Sequence, residues 1–217
     1  MRTKAIILGA ALLAAGAATS MAQSNVYSLN VVGYINLNMT NGYNLVANQL
    51  DFDGTGTNNT IIGVFSNNLP VGSIVYKFVS GSFNNYIYGR GGWPPSANGV
   101  SFNPGEALFI TIPSPVTITT VGQVLQGTYT NTLSGGYTMA ASVAPLSGTL
   151  DSTGNGGLNY VPSTSDILYL WDPVNQVYDN YLHGRGGWSP SDPVISVGQG
   201  IFLSSPNTTW VNTFTVQ

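Results

Sequence analysis

The chain has 217 residues, a formal net charge of −3 at pH 7 and no cysteine, and only 6% of its residues are charged. So few cations cannot neutralise a phosphate backbone, which argues against nucleic-acid binding, and disulfides are excluded. Solubility therefore rests on Asn, Ser, Thr and Gly, and hydrophobic burial must hold the fold.

Residues 1–22 read as an export signal. Arg2 and Lys4 give a positive start, 5–18 is apolar, and Ser20-Met21-Ala22 places small residues at the −3 and −1 positions of a cleavage site. The apolar run is short for a membrane span, and no later stretch is apolar enough to cross as a helix. The expected mature chain starts near Gln23 and is destined for the cell surface or medium, with the periplasm as the other compartment. It keeps the cations Lys77, Arg90 and Arg185 against eight acidic residues.

From 27 to 39 the odd positions carry Tyr27, Leu29, Val31, Ile35, Leu37 and Met39, and the even ones mostly Asn and Ser, which predicts a half-buried strand with a bulge or bend at Gly33. Asn41-Gly42 is a turn signal, and a short strand follows over 43–47. A polar loop fills 51–59, and 60–66 fits one short helix capped by Asn58 or Asn59. Strands 73–79 and 83–88 flank a Ser80-Gly81 hairpin turn, and further strands are expected at 107–112, 116–121 and 123–129. The second half carries strands at 137–143, 166–171, 176–182, 200–204 and 209–216, with a hairpin turn at Asp172-Pro173-Val174-Asn175. Many short strands separated by Gly, Pro and Asn indicate an all-β chain of sandwich or small-barrel units.

The halves echo each other. Gly89-Arg90-Gly91-Gly92-Trp93 returns as Gly184-Arg185-Gly186-Gly187-Trp188, 95 residues later. Tyr76-Lys77-Phe78 matches Tyr169-Leu170-Trp171 at 93, Gly42-Tyr43 matches Gly136-Tyr137 at 94, and the 105–109 segment matches 198–202 at 93. The preserved order predicts an internal duplication, with a first unit over 23–133 and a second over 134–217, joined near Leu133-Ser134-Gly135-Gly136.

The order Gly42-Tyr43-Asn44-Leu45-Val46, Val75-Tyr76-Lys77-Phe78 and Pro104-Gly105-Glu106-Ala107-Leu108-Phe109 resembles a class of prokaryotic cell-surface modules, whose pattern runs from Gly-Trp-Asn-Leu-Ile-Ser to Pro-Gly-x-Gly-Tyr-Trp. The opening Val31-Val32-Gly33-Tyr34-Ile35 is similar to secreted proteins of environmental Gram-negative bacteria. The resemblance implies a β-rich extracellular module and no reaction.

Candidates for chemistry are few. His183 is the sole histidine; Asp179 precedes it by four residues, about 13 Å along a strand, and no nucleophile elbow is present. Asp166, Asp172 and Asp179 would be the carboxylates of a glycoside hydrolase, but they read better as turn and strand residues. Asp51, Asp53 and Thr55, and again Asp151, Thr153 and Asn155, place oxygens at positions 1, 3 and 5 of a Ca²⁺-type loop, yet Ile62 and Pro162 stand where the bidentate Glu belongs. Asp-Gly and Asn-Gly turns explain the same letters. The pentapeptides lack the Lys-Ser/Thr ending of a phosphate loop. Each Trp is expected to fold back on its own strand's aromatics, with the Arg at the rim. The alternative is a pair of sugar platforms made of Tyr86, Tyr88, Trp93 and Arg90, and of Tyr178, Tyr181, Trp188 and Arg185. The expected role is non-enzymatic, structural or adhesive, with no cofactor and with another surface protein or a polysaccharide as partner.

Overall fold

A computed structural model describes residues 31–216; the expected signal and positions 27–30 of the first strand lie outside the described residues. The chain is nearly all β, in antiparallel pairs. Strand β1 (Val32–Met39) buries Ile35, Leu37 and Met39 and exposes Tyr34, Asn36 and Asn38, as its alternation requires. It pairs along its whole length with β6 (Val116–Gln123), where Thr117 and Thr119 donate to Asn38 and Asn36 at 2.8 and 2.7 Å. The expected bulge at Gly33 does not form: the register runs unbroken through Gly33↔Gly122. A Cβ there would lie 2.6 Å from Val124 Cγ2, so the glycine serves close packing.

Asn41-Gly42 redirects the chain into a second layer. There β2 (Gly42–Ala47), β5 (Ala107–Ile112), β3 (Ile74–Val79) and β4 (Ser82–Ile87) form one sheet in the order β2-β5-β3-β4. Helix α1 (Ile61–Phe65) is capped by Thr60, whose Oγ1 accepts from Gly63 N at 3.0 Å. The expected cap Asn59 is instead buried, accepting from Phe52 N and donating to Asp51. The β1–β6 ribbon covers the inner face of the sheet, enclosing Ile35, Leu37, Val75, Leu108, Ile110 and Ile118.

The second half has the same plan. Strands β8 (Gly136–Ala140), β14 (Ile201–Ser205), β10 (Ile167–Asp172), β11 (Val177–Gly184) and β12 (Gly187–Ser189) pair in that order. Strands β7 (Gly127–Leu133) and β15 (Thr208–Phe214) form the covering ribbon, closing a core that contains Leu133, Leu168, Leu203 and Trp210. Registers correspond too: Ile74 faces Thr111 in one sheet and Ile167 faces Ser204 in the other.

Three sequence expectations are corrected. The strand expected over 123–129 is two strands, since β6 ends at Gln123 and Gly127 opens β7 at φ +109°. Because β7 pairs with β15, pairing assigns residues 127–133 to the second half, ahead of the expected joint at 133–136. The strand expected over 137–143 stops at Ala140, and a small ribbon of β9 (Gly148–Thr149) with β13 (Val194–Ile195) went unread.

The halves meet along a seam whose contacts recur with the halves exchanged. Val46 bridges Gln199, and Ala140 bridges Glu106. Ala47 N donates to Gly198 O at 2.9 Å, and Ala141 N donates to Gly105 O at 2.8 Å. Residues from Val31 onward form one compact unit.

Candidate functional site

The two pentapeptides make matching turns. Gly89 and Gly92 exchange both backbone hydrogen bonds at 3.0 Å, and Gly184 pairs with Gly187 at the end of β11 and β12. The chain reverses over Arg90-Gly91 and Arg185-Gly186, and Gly92 and Gly187 take φ of +87° and +100°, which glycine alone adopts without strain. Each indole then returns to the ring five residues earlier. Trp93 lies 5.2 Å from Tyr88, and Trp188 lies 5.0 Å from His183.

This geometry takes the second loop's indole out of solvent and covers the first loop's only in part. Trp188 is 7% exposed, and Tyr88 is buried in the first core. Trp93 is partly buried against the same core and donates its Nε1 to Ser66 O at 2.7 Å. Tyr86 and Tyr181 pack on the inner sides of their sheets. Arg90 and Arg185 stand exposed at the turns. Of the eight expected contact residues, Tyr178 alone reaches the aromatic surface described below.

The acidic candidates do not assemble either. Asp166 is buried, accepting from Tyr160 Oη at 2.7 Å and Ser163 N at 2.8 Å. Burial first, and then the Asp166 contact, hold the Tyr160 phenol well above its ordinary pKa. Asp172 caps its own turn; bonds from Asn175 and Val174 hold its carboxyl below the usual range. It ends β10, and Asp166 lies just before that strand begins, about 20 Å away at the strand rise. Asp179 sits across from Leu170, and His183 Nδ1 lies 3.1 Å from Ser163 O.

The Ca²⁺-type loops are occupied by their own hydrogen bonds. Both Asp51 oxygens accept from Gly56 N, and Asn59 adds a bond of 2.9 Å. Asp53 accepts from Thr55 N and Oγ1 and from Asn58, and its carboxyl is lowered chiefly by Thr55. In the second loop, Asn155 turns away to accept from Thr215 N and donate to Thr215 O. Asp151 is half-buried and Thr153 is exposed.

What the fold assembles instead is an aromatic face. On the outer side of the first sheet stand Tyr43, Tyr76, Phe78, Phe83 and Phe109. On the outer side of the second stand Tyr137, Trp171, Tyr169, Tyr178 and Phe202. Across the seam, Phe109 meets Trp171 edge-on at 5.4 Å, and its counterpart Phe202 meets Phe78 edge-on at 5.3 Å. Within the halves, Tyr43 lies 5.7 Å from Tyr76, and Tyr137 lies 6.1 Å from Tyr169. The Tyr76 hydroxyl raises the Tyr43 pKa, and burial raises that of Tyr178.

Tyr43, Tyr76, Phe83, Phe109, Trp171 and Tyr178 line a groove of about 360 Å³ across this face. Its rim is open to solvent, with Tyr43 44% exposed, Phe83 46%, Tyr178 36% and neighbouring Tyr137 54%, while Phe109 is buried at its floor. A clasp beside it fixes the geometry. Trp171 Nε1 and Gln176 Nε2 both donate to Tyr43 O, at 2.8 and 3.0 Å, and Tyr43 N donates to Gln176 Oε1 at 2.8 Å. A larger cleft of about 750 Å³ lies on the other flank, but its charged residue, Glu106, is already tied to Lys77 at 3.1 Å.

Tyr43/Tyr137, Tyr76/Tyr169, Phe78/Trp171 and Phe109/Phe202 are among the positions that align in the sequence, but nothing there marks them as one surface. Comparison with protein-family models, with curated proteins and with solved structures returns no match.

Proposed function

We propose that this chain is a non-enzymatic binding module, exported from the cell, whose contact surface is the shared aromatic face. One observation carries this reading. Where the sheets of the two halves align, the outer face keeps identical residues at Tyr43/Tyr137, Ile74/Ile167, Tyr76/Tyr169, Asn85/Asn180 and Phe109/Phe202. The inner face keeps Gly42/Gly136 and Tyr86/Tyr181, and otherwise exchanges residues, within the core as at Val75/Leu168 and Leu108/Ile201 and across polarity as at Lys77/Leu170, Asn84/Asp179 and Ile112/Ser205. Where the exchange is apolar for apolar, a core tolerates it because it asks chiefly for volume. Phe109 is held by the buried seam, but Tyr43, Tyr137, Asn85 and Asn180 are exposed, where packing alone does not ask for a particular residue.

The same correspondence, with the recurring registers and the exchanged seam contacts, supports an origin by internal duplication. The sequence of residues 1–22 supports export, with cleavage before Gln23, and N-terminal sequencing of the exported chain checks that. Retained Met1 or Arg2 would contradict it.

The binding reading is tested by retention of the chain on extracellular material from its host. Wild type should be retained, Phe83→Ser/Tyr178→Ser should be lost, and no soluble product should be released. Equal retention of the variant would remove the face from the account, and released product would make the chain an enzyme.

A further inference from the structure

The partner of this face is readable in its chemistry. Every side chain that the four aligned strand pairs direct outward is neutral among the described residues, so nothing there favours a charged ligand over its own hydration. Yet the face is not purely apolar. Asn85 and Asn180, Thr111 and Ser204, and the tyrosine hydroxyls stand among the rings. Flat apolar rings bordered by amides and hydroxyls suit a ligand with an apolar face and an equatorial girdle of hydroxyls. A pyranose has that form.

The repetition adds a second constraint. Each half contributes the same five ring positions, joined through the Phe109–Trp171 and Phe202–Phe78 contacts. A ligand that itself repeats engages both sets with one kind of contact, and the second engagement is intramolecular. Building on the binding-module reading above, we infer that the face binds a neutral polysaccharide chain laid across both halves. A proline-rich peptide and a second copy of this chain are the competing occupants.

The test is calorimetric titration of the purified chain with cellohexaose, xylohexaose and mannohexaose, their trimers, and an anionic galacturonate hexamer. At least one neutral hexamer should bind, at least tenfold more tightly than its trimer, and the anionic hexamer should not. Phe83→Ala/Tyr178→Ala should weaken that binding tenfold or more with an unchanged melting temperature. Should that variant fold poorly, Phe83→Leu/Tyr178→Leu keeps apolar volume without the ring faces and should lose binding equally.

No binding of any neutral hexamer overturns the inference. If a proline-rich decapeptide, or self-association seen by sedimentation, proves sensitive to the same substitutions, the face remains a binding surface and only its occupant changes. Hexamer binding that ignores the substitutions removes the face itself. Equal affinity for trimer and hexamer contradicts a ligand spanning both halves.

Discussion

At the scale of single residues, equivalent positions in the two halves are put to different uses. Trp188 is buried while Trp93 is only partly so, although both end the same pentapeptide. Trp188→Ala should therefore cost about 3–5 kcal/mol, as for other buried aromatics, read as a lower urea midpoint; Phe83→Ala, at an exposed ring, should cost far less. A cost below about 1 kcal/mol for Trp188→Ala would contradict its place in the core. Tyr160 gives a pH signature. Its folded pKa is raised, so the stabilisation is complete below the unfolded value of about 10 and is lost as pH rises through the folded value. The urea midpoint should hold between about pH 8 and 9.5 and fall above that, and Tyr160→Phe should flatten the fall. An identical alkaline profile in the variant would assign the loss elsewhere.

At the scale of elements, the alternating strands were legible because one face is polar, as in β1. Strands β3, β5 and β10 carry large apolar residues on both faces, so periodicity marks them as strands without saying which side is core. That ambiguity hid the aromatic face: only the pairing, with the β1–β6 and β7–β15 ribbons covering the inner sides, reveals Tyr76 and Tyr169 as outward. The two- and three-residue strands β9, β12 and β13 are too short to carry any pattern. The cap of α1 was misread by one or two residues because Asn58, Asn59 and Thr60 all suit the role, and the tertiary bonds of Asn59 to Asp51 and Phe52 decide among them. Two substitutions probe this level. Thr60→Ala should cost about 1 kcal/mol through the lost cap. Gly122→Ala puts a Cβ 2.5 Å from Asp51 O, a backbone atom with little freedom to retreat, and should cost about 1–3 kcal/mol in a denaturant titration.

At the scale of the whole molecule, the two sheet-and-ribbon halves act as one because they share a seam. Leu45, Ala107, Phe109 and Met139 form a third buried cluster between the two cores, ringed by Tyr76, Phe78, Trp171 and Phe202. Thermal unfolding should accordingly be a single transition. Gly200→Val should lower it without splitting it, because a Cβ at Gly200 meets Ala107 Cβ at 2.6 Å and Val46 O at 3.1 Å across the seam. Two resolved transitions would show the halves to be independent. The candidate site belongs to this scale as well. The sequence reading looked for it in the most conspicuous identical stretch, the pentapeptides, whose glycines and indoles answer to the geometry of a turn. The surface left over for recognition comes from scattered strand positions that only assembly brings together.

The most direct measurement is hydroxyl-radical footprinting of the chain, free and adsorbed on an insoluble neutral polysaccharide. Tyr43, Phe83, Tyr137 and Tyr178 should be protected together, one set from each half, while Tyr34 on the outer side of β1 keeps its reactivity. Protection confined to the Arg90 and Arg185 turns, or spread evenly over Tyr34 and the aromatic face alike, would contradict the account.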